Sequence, residues 1–147
     1  MSRPSPERRE RFAHFNTIST RWMDNDVYRH VNNVVYYSFF DTAVNEYMLR
    51  TGVLDLDSSP TVSLVVDTGC TYFSPISFPD VVQCGLRVVH LGTSSVRYEI
   101  GVFRNDEALS SALGFFVHVC CDRTALKPVP MPAQLRTALE RLRLSAP

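Results

Sequence analysis

The first third of the chain changes from loose alternation of apolar and polar residues to one long, almost continuously apolar segment. Residues 14–22 alternate and predict a first strand, and a polar turn at residues 23–30 separates it from the apolar segment. That segment predicts a helix over residues 32–50, because Asn32 is a favoured N-cap and Gly52 is a favoured terminator. Its apolar residues occupy most of the helix circumference, so we expect a sheet to surround it.

The remainder of the chain predicts four more strands and a short helix. The strands cover residues 61–73, 81–91, 96–102 and 108–122, with turn signals between them. Residues 96–102 alternate as a strand with one wet and one buried face does, whereas residues 108–122 are apolar enough for both faces to be covered. An amphipathic C-terminal helix is predicted at residues 132–144. This order predicts an α+β fold in which an antiparallel sheet curls around the long helix.

Composition favours one domain over residues 1–147, preceded by a charged, flexible arm at residues 1–12. Fifteen basic and fifteen acidic residues cancel, which argues against a nucleic-acid or anionic-membrane partner. No apolar run approaches the ~20 residues that a membrane-spanning helix needs, and the N-terminus lacks the apolar stretch of a signal peptide. The four cysteines lack CxxC spacing and lie in apolar segments, so we expect reduced thiols in a cytoplasmic protein.

The residues with the most chemical potential lie in the polar loop before the long helix. Asp24 and Asp26 precede the helix, and His30, Asn32 and Asn33 lie at its start. The unpaired N–H groups and partial positive charge of a helix N-terminus stabilise a developing oxyanion, while a nearby carboxylate attacks the substrate or activates water. Asp and Asn are also ordinary capping residues. Local chemistry alone therefore favours a structural cap over a reactive site.

The segment Asp-x-Asp-x-x-x-His-Val-Asn-Asn at residues 24–33, followed by an aromatic-rich helix, resembles the acyl-CoA thioesterases related to 4-hydroxybenzoyl-CoA thioesterase. Weaker similarities follow in the Tyr-Phe-Ser-Pro turn at residues 72–75 with Asp80, and in the hairpin Leu-Gly-Thr-Ser-Ser at residues 91–95. The resemblance covers about residues 14–132. It implies the hot-dog fold, a five-stranded antiparallel sheet wrapped around one long helix, and hydrolysis of an acyl-CoA thioester to free acid and CoA.

The resemblance also implies roles for single residues. Asp26 matches the family's catalytic aspartate, a nucleophile or general base, and the backbone N–H of Asn33 matches the donor that polarises the thioester carbonyl. Asp24 matches a structural or field-tuning acid, and His30 matches a residue that fixes the loop. Arg29 departs from the pattern, because many relatives carry glycine there and arginine does not easily adopt a glycine-only conformation. Its side chain either contacts an acidic group of the substrate or points to solvent.

For the substrate, the resemblance implies that CoA contacts one hairpin and that no other cofactor is needed. The hairpin residues are Gly92, Thr93, Ser94 and Ser95. His90 and Arg97 are further candidates for the CoA phosphates, although an ion pair between Arg97 and Glu99 is the simpler interpretation. The resemblance implies a homodimer joined at sheet edges, with active sites at the interface, and it leaves a homotetramer open.

Two other functions stay open at this point. A hot-dog enoyl-CoA hydratase or dehydratase would pair an aspartate with a histidine five residues later, whereas Asp24 and Asp26 precede His30 by six and four positions. A non-catalytic acyl-CoA binding protein would not need Asp26. Measuring thioester cleavage and enoyl-CoA hydration separates all three functions.

Two smaller groups of residues complete the sequence predictions. His118, Cys120 and Cys121 suggest a metal or thiol site, but they lie in the most apolar strand and core packing is favoured. No HExxH or paired CxxC motif is present, so we predict no metal site. Aromatic residues of the long helix are candidates for the wall of an acyl pocket: Tyr36, Tyr37 and Phe40.

Overall fold

The computed structural model describes residues 3–144 as one antiparallel sheet packed on a long helix. The strands are β1 His14–Ser19, β2 Thr61–Tyr72, β3 Val81–Leu91, β4 Ser95–Arg104 and β5 Ala112–Asp122, and the helices are α1 Asn33–Arg50 and α2 Ala133–Glu140. The strand order is β1-β3-β4-β5-β2, and every neighbouring pair is antiparallel. The predicted α+β class and the hot-dog fold are confirmed.

The strands differ from the prediction in their order within the sheet and in some of their bounds. Strand β2 does not neighbour β3, which follows it in sequence, but pairs with β5 at the edge of the sheet. The first strand ends at Ser19, because Thr20 turns to donate its N–H to the carbonyl of Asp80 at 3.3 Å. Trp22, predicted to be in the strand, lies in a 3-10 turn and is 79% exposed. The last strand begins at Ala112 and not at residue 108.

Helix α1 is buried along one stripe only, whereas the sequence predicted burial around most of its circumference. The buried residues repeat at intervals of three and four: Tyr36, Phe39, Phe40, Ala43, Val44, Tyr47 and Met48. Val34 and Leu49 are 68% and 50% exposed, since the sheet covers only one side of the helix. The predicted end is confirmed. Gly52 has φ +75° and donates to the carbonyl of Leu49, and Val53 donates to the carbonyl of Met48, which together form a Schellman motif.

The outer face of the sheet is covered by the segment predicted to be a flexible arm. Phe12 is 6% exposed and packs so closely on the sheet that a Cβ at Gly101 would lie 2.5 Å from its ring. The nearby Arg87 is 8% exposed and donates to Glu7 at 3.0 Å and to Glu99 at 2.6 Å. Residues 7–12 therefore pack as a strap across the sheet. Residues 1–2 of the predicted arm lie outside the described residues.

The C-terminal helix is shorter than the predicted 132–144. Helix α2 ends at Glu140, but the turn after it continues the predicted apolar side, so that Leu139 and Leu142 are fully buried. Leu135 of the same side is half-buried. Across residues 3–144, neither helix has the length and apolar character that would let it cross a membrane.

Candidate active site

The loop at residues 20–32 is tied by hydrogen bonds to the turn that precedes β3. Four bonds between 2.7 and 3.3 Å join Thr20 to Asp80, Asn25 to Phe78, Arg29 to Ser77 and Val31 to Ile76. A loop held at so many points presents its side chains in a fixed geometry. Such preorganisation is what a reacting site requires.

Asp24 serves this loop as a buried anchor. Its side chain is 2% exposed, and it accepts a hydrogen bond from the backbone N–H of Arg21 at 2.7 Å. The guanidinium of Arg21 donates to the second carboxylate oxygen at 2.9 and 3.1 Å. Arg21 therefore occupies both oxygens. Of the two roles that the resemblance implies for Asp24, this geometry supports the structural one over the tuning of the local field.

Asp26 is half-buried and lies beside the start of α1. One carboxylate oxygen accepts from the backbone N–H of Tyr28 at 2.8 Å, and the other lies 3.4 Å from the side-chain nitrogen of Asn32. The side-chain oxygen of Asn32 accepts from the N–H of Val34 at 3.0 Å, as its predicted role as N-cap requires. A single amide side chain thus connects the Asp26 carboxylate with the first turn of the helix.

The backbone N–H of Asn33 has no acceptor among residues 3–144. Val34 and Val35 donate instead to the side-chain and main-chain oxygens of Asn32. Asn33 lines a groove of about 310 Å³, together with His30 and residues 72–75. An unpaired N–H at a helix N-terminus that opens on a groove is placed to bind a carbonyl oxygen or an anion.

Tyr72 also lines this groove. The sequence indicated it only as part of the Tyr-Phe-Ser-Pro turn, without a role of its own. Its hydroxyl donates to the carbonyl oxygen of Asn33 at 3.2 Å, and its ring stands at 4.9 Å from that of Tyr36. Of the predicted acyl-pocket residues, Tyr36 lines the groove and Tyr37 is half-buried. Phe40 is fully buried and packs on Gly114, so within one chain it belongs to the core and does not line the groove.

His30 shapes the loop through its backbone. Its carbonyl accepts from the N–H of Asp26 at 2.9 Å, while its exposed ring makes no hydrogen bond within residues 3–144. The ring lines the groove beside Asn33. This main-chain bond is consistent with the loop-fixing role that the resemblance implies for His30.

Arg29 adopts the left-handed conformation that we expected to be difficult for it. Its φ is +66°, because its N–H donates to the carbonyl of Asp26 at 2.9 Å while its own carbonyl accepts from the hydroxyl of Ser77 at 2.8 Å. A left-handed residue other than glycine costs about 1–2 kcal/mol. An exposed arginine therefore occupies a left-handed backbone position that is typical of glycine.

Replacing Arg29 by glycine should stabilise the protein. Removing the left-handed strain gains about 1–2 kcal/mol, and the added freedom of the unfolded chain costs about 0.5–1 kcal/mol. We expect Arg29→Gly to raise the free energy of unfolding by about 0.5–1 kcal/mol in urea titrations. Arg29→Ala removes the guanidinium but keeps the strain, and it should match wild type. Equal stabilisation by both variants would assign the effect to charge instead.

The predicted CoA-binding hairpin lies far from Asp26 within one chain. Asp80, to which the loop at residues 20–32 is bonded, directly precedes β3, and the hairpin directly follows it. The eleven residues of β3 extend roughly 35 Å. Gly92 closes the hairpin by donating to the carbonyl of Ser95 at 2.8 Å. The carbonyl of Thr93 accepts from the N–H of Met131 at 3.0 Å. One chain therefore does not bring the hairpin and the Asp26 loop together.

The ion pair predicted between Arg97 and Glu99 does not form. Glu99 pairs with Arg87 on the neighbouring strand, at 2.6 Å. The guanidinium of Arg97 instead stacks 4.1 Å from the ring centroid of Phe115. Arg87 and Glu99 lie directly opposite each other in the register of β3 and β4, so Glu99 pairs across the strands and not with Arg97 on its own strand. His90 is exposed and pairs in register with Arg97.

His118 and the two cysteines near it are in the core, as predicted. His118, Cys120 and Cys121 are 2–4% exposed, and burial raises the pKa of the Cys120 thiol. Within residues 3–144, no three His, Cys, Asp or Glu side chains are placed to hold a metal ion. The sequence pattern predicted simple packing for His118, but its ring nitrogens have no hydrogen-bond partner within residues 3–144 and it lines a cavity.

With this geometry established, similarity to known proteins identifies the family. The family model of the thioesterase-like superfamily matches residues 20–139, which include the Asp26 loop, α1 and all strands after it. The chain belongs to the thioesterase-like superfamily. The resemblance seen at residues 24–33 is thereby confirmed, and membership supports thioester hydrolysis as the general class of reaction.

Solved structures share the fold of this thioesterase-like protein. The PA5185 protein of Pseudomonas aeruginosa is 48% identical, with a TM-score of 0.94 over 97% of this chain and 100% of that one. The DHNA-CoA thioesterase of Staphylococcus aureus is 19% identical, with a TM-score of 0.77 over 86% of this chain and 88% of that one. The YsmA protein of Bacillus subtilis is 23% identical over 93 residues, which span 63% of each chain.

Proposed function

We propose that this thioesterase-like protein hydrolyses acyl-CoA thioesters at the start of helix α1. The observation that carries the proposal is the juxtaposition of the Asp26 carboxylate with the unpaired N–H of Asn33, joined through Asn32. A carboxylate and an oxyanion donor at one point are the two groups that acyl transfer needs. The DHNA-CoA thioesterase with the same fold makes CoA the natural thiol to test.

In the proposed reaction the thioester carbonyl oxygen accepts from the N–H of Asn33, beside the positive end of the helix dipole. Asp26 then acts in one of two ways. It attacks the carbonyl carbon to form a mixed anhydride that water cleaves, or it removes a proton from the water that attacks. The tetrahedral oxyanion is held at Asn33, the C–S bond breaks, and the CoA thiolate takes up a proton. The products are the free acid and CoA.

The protein contacts to the CoA part of the substrate would come from a second subunit. In one chain the length of β3, roughly 35 Å, separates the Gly92–Ser95 hairpin from the turn to which the Asp26 loop is bonded. Strand β2 is an edge strand, and Leu64, Val65 and Val66 on it are 39–59% exposed. Exposed apolar edges need a cover. We therefore propose a homodimer joined at β2, in which the Asp26 loop of one subunit meets CoA contacts from the other.

The decisive experiment is a panel of acyl-CoA thioesters incubated with purified protein, with free thiol followed by a chromogenic disulfide. We expect CoA release with turnover from at least one aliphatic or aromatic acyl-CoA. In parallel, trans-2-enoyl-CoA is followed at the absorbance of its conjugated double bond. Hydration without thiol release would replace the proposal with a hydratase. Saturable binding with neither reaction would replace it with a binding protein.

A further inference from the structure

A second cavity, of about 250 Å³, lies between the C-terminal half of α1, the loop after it and the beginning of β2. Its walls combine apolar side chains, among them Val44, Met48 and Leu54, with the polar side chains of Asp41 and His118. That volume corresponds to roughly eight water molecules at about 30 Å³ each. It suits the end of a ligand better than a whole substrate.

His118 sets the chemistry of this cavity. The side chain is 4% exposed, and neither ring nitrogen has a hydrogen-bond partner among residues 3–144. Leaving a buried polar atom unpaired costs about 1–3 kcal/mol. Burial lowers the pKa of His118 to about 4, so the ring is neutral at pH 7 and offers one donor and one acceptor.

The neighbours of His118 hold its ring by aromatic contact. The rings of Phe116 and Tyr98 lie 4.6 and 5.4 Å from it, and the Tyr98 hydroxyl is likewise buried with no partner in the described part of the chain. The second side-chain torsion of histidine has broad minima. Because His118 lines the cavity and its ring nitrogens are unpaired within residues 3–144, a ligand in the cavity could reach them with little change in that torsion.

One face of α1 carries residues of both the cavity and the groove at Asn33. Asn33, Tyr37, Asp41 and Asn45 follow one another at four-residue spacing and share a face. Asn33 lines the groove, Asp41 and Asn45 line the cavity, and half-buried Tyr37 lies between them. Strand β2 follows the same face in the opposite direction, with Tyr72 at the groove and its first residues at the cavity.

The distance along α1 from the groove to the cavity sets the length of the acyl group that would reach from one to the other. At 1.5 Å per residue, Asp41 lies about 12 Å along the helix from Asn33. An extended chain advances about 1.2 Å per bond, as the spacing of an extended backbone shows. An acyl group with its thioester carbonyl at Asn33 therefore reaches the cavity after about ten bonds.

We infer that the cavity at His118 receives the far end of the acyl group and selects acyl groups that carry a neutral hydroxyl there. This inference rests on the proposed function at Asp26. A hydroxyl both donates and accepts, and it therefore satisfies either nitrogen of a neutral imidazole. A carboxylate at the same place is disfavoured, since it would stand in one small cavity with Asp41.

The test compares 10-hydroxydecanoyl-CoA with decanoyl-CoA, two substrates that differ only in the terminal hydroxyl. We expect wild-type protein to prefer the hydroxylated substrate by roughly tenfold in kcat/KM, the equivalent of one net hydrogen bond. His118→Phe should bring that ratio to about one, and His118→Gln, which keeps a donor and an acceptor, should preserve part of it. The histidine of β1 provides a matched control, and His14→Phe should leave the ratio at its wild-type value.

The outcomes separate this inference from the proposed function. A wild-type ratio of one, or a preference that survives in His118→Phe, overturns the inference and leaves a cavity that holds water only. Full turnover by Asp26→Asn overturns the proposed function instead. Should His118→Phe fail to fold in thermal melts, Tyr37→Trp decides. Narrowing the route from the groove to the cavity there should lower kcat/KM for decanoyl-CoA far more than for butanoyl-CoA, and equal losses overturn the inference.

Discussion

Asp26→Asn is expected to lower kcat for acyl-CoA hydrolysis by roughly 10³-fold, within the 10²–10⁴ range of acid–base groups. The amide neither attacks a carbonyl nor takes a proton from water. It still accepts from the N–H of Tyr28, and the contact to Asn32 is long, at 3.4 Å. The variant should therefore keep its free energy of unfolding within about 1 kcal/mol of wild type. Thiol release and urea denaturation measure the two quantities.

The neighbouring Asp24 supplies the control for this experiment, because the same substitution there should have the opposite signature. Asp24 is 2% exposed and binds Arg21 with both oxygens. We expect Asp24→Asn to cost about 1.5–3 kcal/mol of stability, as hydrogen bonds to charged groups do, with a smaller loss of kcat than Asp26→Asn. If instead Asp26→Asn turned over acyl-CoA near the wild-type rate, Asp26 would have no part in the chemistry.

Phe40→Ala is expected to destabilise the fold by about 3–5 kcal/mol, the usual cost of removing a buried phenylalanine. Phe40 is 0% exposed, and a Cβ at Gly114 would lie only 2.1 Å from its ring. The Phe40 ring therefore packs directly on the backbone of β5, as one of the seven buried residues that α1 places against the sheet. Because Gly114 has no side chain to move into the space, the cavity collapses poorly. Urea denaturation at constant m-value measures the loss.

Val34→Ala is the matched comparison on the same helix. Val34 is 68% exposed, and surface substitutions usually change stability by no more than about 0.5 kcal/mol. A cost for Phe40→Ala as small as that for Val34→Ala would contradict the packing of α1 on β5. A large cost for Val34→Ala in the native oligomer would show instead that a partner covers the exposed side of the helix.

The prediction of α1 from sequence succeeded because its boundaries depend on local interactions. Asn32 caps the helix through a bond to Val34 two residues later, and Gly52 ends it through a conformation that glycine adopts freely. The burial of the helix was predicted less well. The sequence does not show whether an apolar residue such as Val34 faces the sheet or solvent. Only the position of the sheet in the structure distinguishes these two orientations.

The loop at residues 20–32 shows the same difference between local and tertiary causes within a few residues. The spacing of Asp24, Asp26 and Asn33 marked the candidate site, but two neighbouring aspartates are equivalent in sequence. The structure distinguishes them because Arg21 folds back onto Asp24 and leaves Asp26 beside the helix. Tyr72 lies 39 residues from Asn33 in sequence. Its contact with that residue depends on the path of β2, which no local pattern contains.

The sequence by itself determined the elements whose causes are local: the caps of α1, the alternation of β4, and the carboxylates that precede the long helix. Only the tertiary structure decided which strand lies beside β2, what covers the outer face of the sheet, and how far the Gly92 hairpin is from Asp26. These features depend on contacts between distant segments, such as Phe12 on Gly101 and β2 on β5. Many pairings satisfy the same apolar pattern, and the packing of the whole core selects one of them.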